Sequence, residues 1–307
     1  MKKLTPAIKN PNNEKISMMV MSIPFFILII MFSYVPLWGW VMAFFKYYPG
    51  LSISETEFVG LKYFVELFSS ISDFPLVIRN TLMFSVLGIA VSFAPAILAI
   101  MLNEVKSNPF KRTIQTVVSF PNFISWIIIY SVVMSFFSYD DGLLNDILLK
   151  LHLISKPTNI LVNAQATWVF QTVLSLWKGI GWSSIIYIAA ISGINVELYE
   201  AAKIDGASRL QCIRHVTIPG LMPTYIVLLL LSIGNILSTG FEQYYVFHNP
   251  IVHDYIEVLD TYVYRVGLTQ GNFSSATAVG IMKTFISIMM LISFNRLSRK
   301  LLGRTII

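Results

Sequence analysis

Residues 16–45 read ISMMVMSIPFFILIIMFSYVPLWGWVMAFF, a run that contains no Asp, Glu, Lys or Arg. A helix needs about 20 apolar residues to cross the hydrocarbon core of a bilayer, so this run is long enough to span one. A signal peptide has a shorter apolar core and a small-residue cleavage site. Here the bulky residues Tyr34, Pro36 and Trp38 stand in that place. We therefore expect the run to remain in the protein as a membrane anchor.

The composition of the whole chain extends this conclusion. Of the 307 residues, 55% are hydrophobic and only 12% are charged, whereas about a quarter of a soluble domain is charged. One soluble core of this size cannot bury so much apolar surface. Further apolar windows cover residues 79–102, 114–137, 167–191, 224–237 with an extension at both ends, and 276–294. The sequence predicts an all-α integral membrane protein with six transmembrane helices.

The basic residues predict the orientation. With the N-terminus inside, fourteen of the 22 Lys and Arg residues lie in cytoplasmic segments and five in external ones. This asymmetry follows the positive-inside rule, so both termini are expected in the cytoplasm. The net charge of +6 is then an orientation signal, and no nucleic-acid partner is expected. The predicted organisation is a cytoplasmic tail (1–15), a first span with an external segment (16–74), a core (75–294) and a basic cytoplasmic tail (295–307).

Residues 195–223, between the fourth and fifth spans, are too polar to cross a membrane but are regularly patterned. Asn195 can cap a helix that Gly206 ends. Ser208 can then cap a second short helix that runs through His215 and ends before Pro219. Such short helices are marginal in water unless they pack against something. We expect this cytoplasmic segment to dock on a partner.

The same segment resembles the EAA loop of ABC importer permeases, in which E-A-A is followed by a glycine at fixed spacing and later by a proline. The residues that carry the resemblance are Glu200, Ala201, Ala202, Asp205, Gly206, Ala207 and Pro219. The resemblance implies the type I ABC importer permease fold. It also implies that this helix sits in a cleft of a separate ATPase dimer, with Glu200 facing a basic group and Gly206 as a hinge.

Other stretches narrow the resemblance to sugar permeases of the carbohydrate uptake class. Residues 80–82, 102–104 and 120–121 are similar to that class, and residues 36–44, 59–64, 240–243 and 260–265 to its polysaccharide permease subfamily. This implies import of oligosaccharides or glycan fragments through a bacterial cell membrane. The implied partners are a second homologous permease, the ABC ATPase dimer and an extracellular solute-binding lipoprotein.

The chain has no G-x-x-x-x-G-K-[ST] loop to cradle phosphates. We therefore expect it not to be an enzyme and to carry no cofactor, with ATP and magnesium bound by the partner ATPase. Its four histidines lack the spacing of metal ligands on one helix face, so no metal site is predicted.

Two other classes of membrane protein fit less well. An ion-coupled secondary sugar transporter, the alternative function, normally places a carboxylate at membrane depth. The predicted spans contain no Asp or Glu near their centres. An intramembrane enzyme would need a nucleophile beside a base within the bilayer, and the serines of the spans, including Ser85, Ser92 and Ser183, are read more simply as helix contacts.

Polar and aromatic residues in or near the spans are the candidates for a substrate path, because sugars are bound by aromatic faces and by amide or acid groups. These are Asn80, Asn122, Trp126, Lys178, Trp182, Asn235, Glu242 and Gln243. For each residue, a hydrogen bond between helices is an equally good interpretation. Lys178 and Lys283 could snorkel to the membrane interface or face an acidic glycan.

Overall fold

A computed structural model describes residues 11–69, 73–139 and 142–302. Parts of both predicted tails, residues 1–10 and 303–307, lie outside the described residues. Over the described ranges the chain is helical, apart from loops and an isolated bridge between Phe45 and Phe58. Five helices are long and apolar enough to cross a membrane, and a bent pair brings the number to six. The prediction of an all-α membrane protein is confirmed.

The first span has three parts. The helix α1 (Pro11–Ile29) continues through a π turn (Ile30–Tyr34) into a 3-10 segment (Val35–Phe44). Such a long 3-10 segment is uncommon; it includes Pro36, which has no N–H to donate. A 3-10 turn (Ile53–Glu55) and the short helix α2 (Lys62–Glu66) follow. Ala43, Tyr63 and Ala278 form a small buried core that holds this region against the last helix.

The second span is broken once. The helices α3 (Phe74–Ala90) and α4 (Ala94–Glu104) are separated by a turn and together form a span of 31 residues, Phe74–Glu104. Pro95 stands in the first turn of α4, where a missing N–H costs nothing. The predicted span 79–102 lies inside these bounds.

The third predicted span, 114–137, is wrong as a continuous helix. The helix α5 (Asn108–Ser119) and a 3-10 turn (Phe120–Phe123) meet α6 (Trp126–Phe137) at a bend of 100°. Pro121 cannot donate a backbone hydrogen bond there, and the Ser125 hydroxyl starts a new helix by accepting from the N–H of Ile128 at 3.4 Å. The helix α7 (Leu143–Lys150) and 3-10 turns at Ile160–Val162 and Ala164–Ala166 follow.

The next elements join the centre of the bundle to residues 195–223, the segment predicted to dock on a partner. They are α8 (Thr167–Ser192), α9 (Val196–Ile204), α10 (Arg209–Cys212), a π turn (Ile213–Thr217) and α11 (Ile218–Gly234). From Arg209 to Gly234 these form one continuous membrane-length helix of 26 residues. The expectation that a helix ends after His215, before Pro219, is therefore wrong. A π turn lies just before Pro219. Its hydrogen bonds join residues five positions apart, so the helix continues past Pro219 without the N–H donor that proline lacks.

The last part of the chain returns to the bundle through short helices. These are α12 (Glu242–Val246), α13 (His253–Ile256), α14 (Leu259–Tyr264) and a π turn (Arg265–Thr269), and the long helix α15 (Phe273–Leu302) follows them. One core cluster includes Phe74, Leu259 and Val279. A second includes Phe84 and Val258. The segment between α11 and α15 is therefore packed into the bundle from both sides.

Candidate functional site

The segment predicted to couple to a partner presents the short helix α9 at the surface. The side-chain oxygen of Asn195 accepts a hydrogen bond from the N–H of Glu197 at 3.0 Å and caps the helix. At the other end Gly206 has φ +78°, and the N–H of Ala207 donates to the carbonyl of Ala202 at 2.9 Å. This is a C-terminal cap that favours glycine. The helix starts and ends where Asn195 and Gly206 predict.

The predicted coupling residues lie outside the packed core. Those that are exposed are Glu200, Ala201, Asp205, Gly206 and Pro219, and those that are half-buried are Ala202 and Ala207. Pro219 belongs to the first turn of α11 and is separated from the others by α10 and the π turn. The first six residues therefore form one continuous surface on α9 and the turn after it.

Large apolar side chains lie next to this surface. Ile204 is 86% exposed and Leu210 is 78% exposed. Apolar side chains this exposed beside α9 are available for contact with another protein. The hydroxyl of Tyr199 is hydrogen-bonded to that of Thr217 at 2.9 Å, which fastens α9 to the helix that continues into α11. A force applied to α9 would therefore be passed to a membrane-length helix.

Three adjoining cavities form a cleft between α3, α4, α8 and α11. Their volumes are about 280, 390 and 340 Å³. Ser92 and Ser183 border the first two, Gly88 and Tyr244 the first and third, and Asn235 the second and third. We call this the hydroxyl-lined cleft; its glycine and polar lining residues are Ser85, Gly88, Ser92, Thr172, Ser175, Gly179, Ser183, Tyr187, Tyr225, Ser232, Asn235, Ser238, Thr239 and Tyr244. Of the described residues that line it, none is charged.

The chain leaves the helical conformation where it borders this cleft. α11 stops at Gly234, and residues 235–241 form turns and loop before α12. The hydroxyl of Thr239 is buried in the wall with no hydrogen-bond partner among the described residues. Non-helical backbone at membrane depth is tolerated where it lines a polar cavity, and substrate sites of transporters use such interrupted helices. The cleft therefore has the features of a passage for a polar molecule.

Lys178 lies outside the cleft, at the bend between α5 and α6. Its ammonium donates to the carbonyls of Pro121, Asn122 and Ile124 at 3.3, 2.8 and 2.6 Å. It also lies 5.5 Å from the centre of the Trp126 ring. A helix end leaves carbonyls without partners, and Lys178 supplies donors to them. The structure thus gives this lysine hydrogen-bond partners within the protein, and its role as a snorkelling anchor or as a residue of the substrate path stays a prediction.

Close packing brings Lys178 to that bend. A Cβ at Gly181 would lie 2.3 Å from the carbonyl oxygen of Val118, so only glycine allows α8 to approach the end of α5 this closely. Because Lys178 is almost one turn before Gly181 on α8, this contact sets the distance from its ammonium to the freed carbonyls.

Lys283 is also paired within the protein. It lies on α15 and forms an ion pair with Asp260 of α14, and the two side chains are 19% and 23% exposed. Asp260 lies outside the predicted spans. The structure brings this carboxylate against a lysine of the last span, where the pair is neutral overall.

Of the eight residues predicted for the substrate path, Asn235 lines the cleft. Asn122, Trp126 and Lys178 meet at the bend. Asn80 is fully buried, and its amide donates to the carbonyls of Asp254 and Glu257 at 3.0 Å each.

The remaining three candidates lie elsewhere. Gln243 is buried and donates to the side-chain oxygen of Gln171 at 2.8 Å. Trp182 is 52% exposed and meets Phe123 edge-on, and Glu242 is exposed. A substrate role for these residues stays a prediction.

Ser85, Ser92 and Ser183 were predicted to be helix contacts. The hydroxyl of Ser85 donates to the carbonyl of Ile236, and that of Ser92 is hydrogen-bonded to the hydroxyl of Tyr225 at 3.1 Å. All three serines also stand in the wall of the cleft. For Ser183, the spacing of small and polar residues along α8 was a signal of the cleft. Positions 172, 175, 179 and 183 all carry Ser, Thr or Gly and recur every three or four residues, as residues on one face of a helix do. A polar stripe of this period inside an apolar span indicates a cavity rather than lipid.

A charged cluster lies at the end of the bundle opposite α9. The guanidinium of Arg265 donates to both oxygens of Glu257, at 2.6 and 2.8 Å, and to Asp73 at 3.2 Å. The hydrogen bond to Glu257, whose side chain is only 3% exposed, raises the pKa of Arg265. His253 and His248 extend the cluster: Nε2 of His248 and Nδ1 of His253 are hydrogen-bonded at 2.8 Å, and burial lowers the pKa of His248. These contacts tie the segment after α11 to the start of α3.

Residues 92–303 match the family model described as binding-protein-dependent transport system inner membrane component. The chain belongs to this family. It is therefore a multi-pass membrane permease of a binding-protein-dependent transport system, and the resemblance read from the EAA loop is confirmed.

Named relatives of this family cover nearly the whole chain. The polygalacturonan/rhamnogalacturonan transport system permease protein YteP of Bacillus subtilis (strain 168) is 40% identical over 92% of this chain and 87% of its own length. Protein LplB of the same organism is 39% identical over 91% of this chain and 87% of its own length.

Solved structures show the same architecture. A chain of a bacterial ABC transporter involved in the import of the acidic polysaccharide alginate is 34% identical and superposes with a TM-score of 0.85, covering 94% of this chain and 97% of that one. A chain of the alginate transporter in complex with an alginate pentasaccharide-bound periplasmic protein is 33% identical, with a TM-score of 0.86 over 96% of this chain and 98% of that one. The type I ABC importer permease fold is thus confirmed.

Proposed function

We propose that this permease forms half of the translocation path of an ATP-driven importer for oligosaccharides, and that the hydroxyl-lined cleft is its part of the path. The observation that carries the proposal is the lining itself. The cleft is lined by hydroxyl groups and glycines as well as by apolar side chains such as Phe84, Leu176 and Leu228, and polar surface between membrane-length helices is costly unless it has partners. Sugar hydroxyls can replace water as partners for such groups.

The substrate class follows from this lining and from the relatives. Hydroxyl, amide and tyrosine groups such as Asn235, Tyr225 and Tyr244 suit a molecule covered with hydroxyls. Relatives and structural neighbours named for pectic polysaccharides and for alginate support an oligosaccharide or glycan fragment. The proposed cleft offers no cation to a uronate carboxylate, since Lys178 and Lys283 are both paired within the protein.

The proposed coupling surface is Glu200, Ala201, Ala202, Asp205, Gly206 and Ala207 on α9 and its turn. It fits a cleft on a separate ABC ATPase dimer, which would bind the ATP and magnesium. Closing of that dimer would push α9, and the bond from Tyr199 to Thr217 would pass the movement to the long helix Arg209–Gly234. This helix ends at the cleft, so the push would change the shape of the path.

A second homologous permease is the proposed cover of the first span. The side chains of Met19, Phe25 and Phe32 are 67–68% exposed, and Trp38 is 80% exposed. A second permease would complete the path that the cleft begins. An extracellular solute-binding lipoprotein would deliver the substrate at the end opposite α9, and the structural neighbour in complex with an alginate pentasaccharide-bound periplasmic protein supports a binding protein as a partner.

The proposed organisation places residues 1–15 and 295–307 in the cytoplasm, the first span and an external segment at 16–74, and the transport core at 75–294, with the coupling loop at 195–223. The test is reconstitution. Uptake of a labelled pectic or alginate-type oligosaccharide should require this chain, the second permease, the ATPase and the binding protein together, and it should require ATP. Uptake by this chain alone, driven by an ion gradient, would establish a secondary transporter instead.

A further inference from the structure

The ion pair between Lys283 and Asp260 lies next to the hydroxyl-lined cleft without lining it. A charge inside a membrane helix is costly unless it is paired. Pairing explains how Lys283 is tolerated on α15, but not what the pair does. Two apolar residues would pack the same helices at lower cost.

The second oxygen of the carboxylate shows where the pair acts. Oδ2 of Asp260 accepts a hydrogen bond from the backbone N–H of Gly240 at 3.2 Å. Gly240, with φ +103°, stands near the end of the non-helical segment 235–241. At the start of this segment the hydroxyl of Ser85 donates to the carbonyl of Ile236. The segment that borders the cleft is therefore held near both ends by side chains from other elements.

We propose that Asp260 and Lys283 are positioning residues that hold the segment 235–241 in place and so set the shape of the cleft wall. Asp260 can do this because its own helix is fixed: its neighbour Leu259 is 2% exposed, and Val279 on α15 is fully buried. Lys283 pairs with one oxygen of this carboxylate, and a charged acceptor makes a stronger hydrogen bond to the N–H of Gly240 than a neutral one does.

Neither Asp260 nor Lys283 contacts the substrate in this arrangement. Ser238 and Thr239 border the cleft between the two anchored ends. Loss of the bond to Gly240 would let these two residues move, which would weaken substrate binding without removing any group that touches the substrate. The hydrogen bond from the N–H of Gly240 to Asp260 is called the tether below. The expected effect on uptake rests on the proposed function, whereas the tether itself does not.

The experiment exchanges the two charges, Asp260→Lys with Lys283→Asp, in the complete importer. The exchange keeps an attractive pair but removes the acceptor of the Gly240 N–H, because an ammonium only donates. Movement of the segment is read from the alkylation rate of Ser238→Cys in a Cys212→Ser background. We expect normal assembly, alkylation about tenfold faster than in the parent, and a several-fold higher half-saturating sugar concentration. The control exchange, Lys62→Glu with Glu66→Lys, swaps an exposed pair and should change neither readout.

Alkylation at the parent rate would overturn the tether, and faster alkylation with unchanged half-saturation would overturn its role in the cleft. If the exchanged variant does not reach the membrane, Asp260→Asn with Lys283→Met replaces it, since it leaves no unpaired charge and only a weaker, neutral acceptor. Faster alkylation is again expected, and the parent rate again contradicts the tether. If the parent takes up no sugar with any set of partners, the proposed function fails. The alkylation rates still test the hydrogen bond between Gly240 and Asp260.

Discussion

The ammonium of Lys178 lies 2.6 Å from the carbonyl oxygen of Ile124, two residues before the start of α6. The same ammonium also donates to the carbonyls of Pro121 and Asn122. One side chain of α8 therefore binds three carbonyls in the break between α5 and α6. An unpaired carbonyl at membrane depth costs free energy comparable to a lost hydrogen bond. The bend of 100° therefore depends on this lysine.

Replacing Lys178 by Met should destabilise the protein, because the carbonyls of Asn122 and Ile124 lose the ammonium donor, while that of Pro121 keeps the N–H of Ile124. Hydrogen bonds from a charged group contribute about 1.5–3 kcal/mol each, so a loss of about 2 kcal/mol or more is expected. Thermal unfolding in detergent, followed by tryptophan fluorescence, measures the change. Lys150→Met is the control, since Lys150 is 78% exposed and makes only a 3.6 Å pair with Asp146. Equal melting temperatures for the two variants would contradict the assigned role of Lys178.

The coupling surface predicts a large effect at Gly206. Gly206→Asp adds a side chain and a charge at a residue with φ +78°, in the turn proposed to contact the ATPase. Uptake should fall to background while the protein stays in the membrane, and the loss should exceed that of Glu200→Ala. Because a Cβ at Gly206 meets no atom within 4 Å in this chain, the defect would come from the backbone and from the contact with the ATPase.

Gly50→Asp is a matched control for that variant. Gly50 also has positive φ, +95°, and open space around its Cα, so the cost of the strained backbone, about 1–2 kcal/mol, is similar. It lies in the loop after the first span, far along the chain from α9. Uptake near the parent level with Gly50→Asp and none with Gly206→Asp would assign the loss to coupling. Equal uptake by both variants would remove Gly206 from the coupling surface.

The sequence predicted the membrane class and the number of spans because both depend on the length of apolar runs. It also predicted the ends of α9, since Asn195 and Gly206 act locally. The bend at residues 124–125 was missed. Pro121 and Ser125 were local signs of it, but the contacts of Gly181 and Lys178 that hold it come from a distant helix. The partner of Lys283 was missed for the same reason: Asp260 is 23 positions away and meets it only through the fold.

The orientation in the membrane predicts which surface cysteines react from outside. In a Cys212→Ser background, Asp146→Cys should react with an impermeant maleimide in intact cells, because Asp146 lies on α7 and is 67% exposed. Asp205→Cys, beside the coupling helix, should react only after the cells are opened. Reaction of position 205 in intact cells, with position 146 silent, would reverse the orientation that the basic residues predict.

The charge-free lining predicts how the importer treats acidic and neutral sugars. Since neither membrane lysine lines the cleft, Lys178→Met and Lys283→Met should leave the ratio of acidic to neutral oligosaccharide uptake unchanged, even where total uptake falls.

Ser183→Asp, by contrast, places a carboxylate in the cleft wall. At about 5 Å and an effective dielectric constant of about 20, two like charges repel by about 3 kcal/mol, so uptake of uronate-containing fragments should fall by about a hundredfold relative to neutral ones. Ser183→Asn, which has nearly the same shape but no charge, should leave the ratio as it is in the parent. Competition between labelled acidic and neutral fragments of equal length measures that ratio in one vesicle preparation. A lower ratio in either lysine variant would show that the substrate meets an ammonium on its way, and an unchanged ratio in Ser183→Asp would place the path outside the hydroxyl-lined cleft.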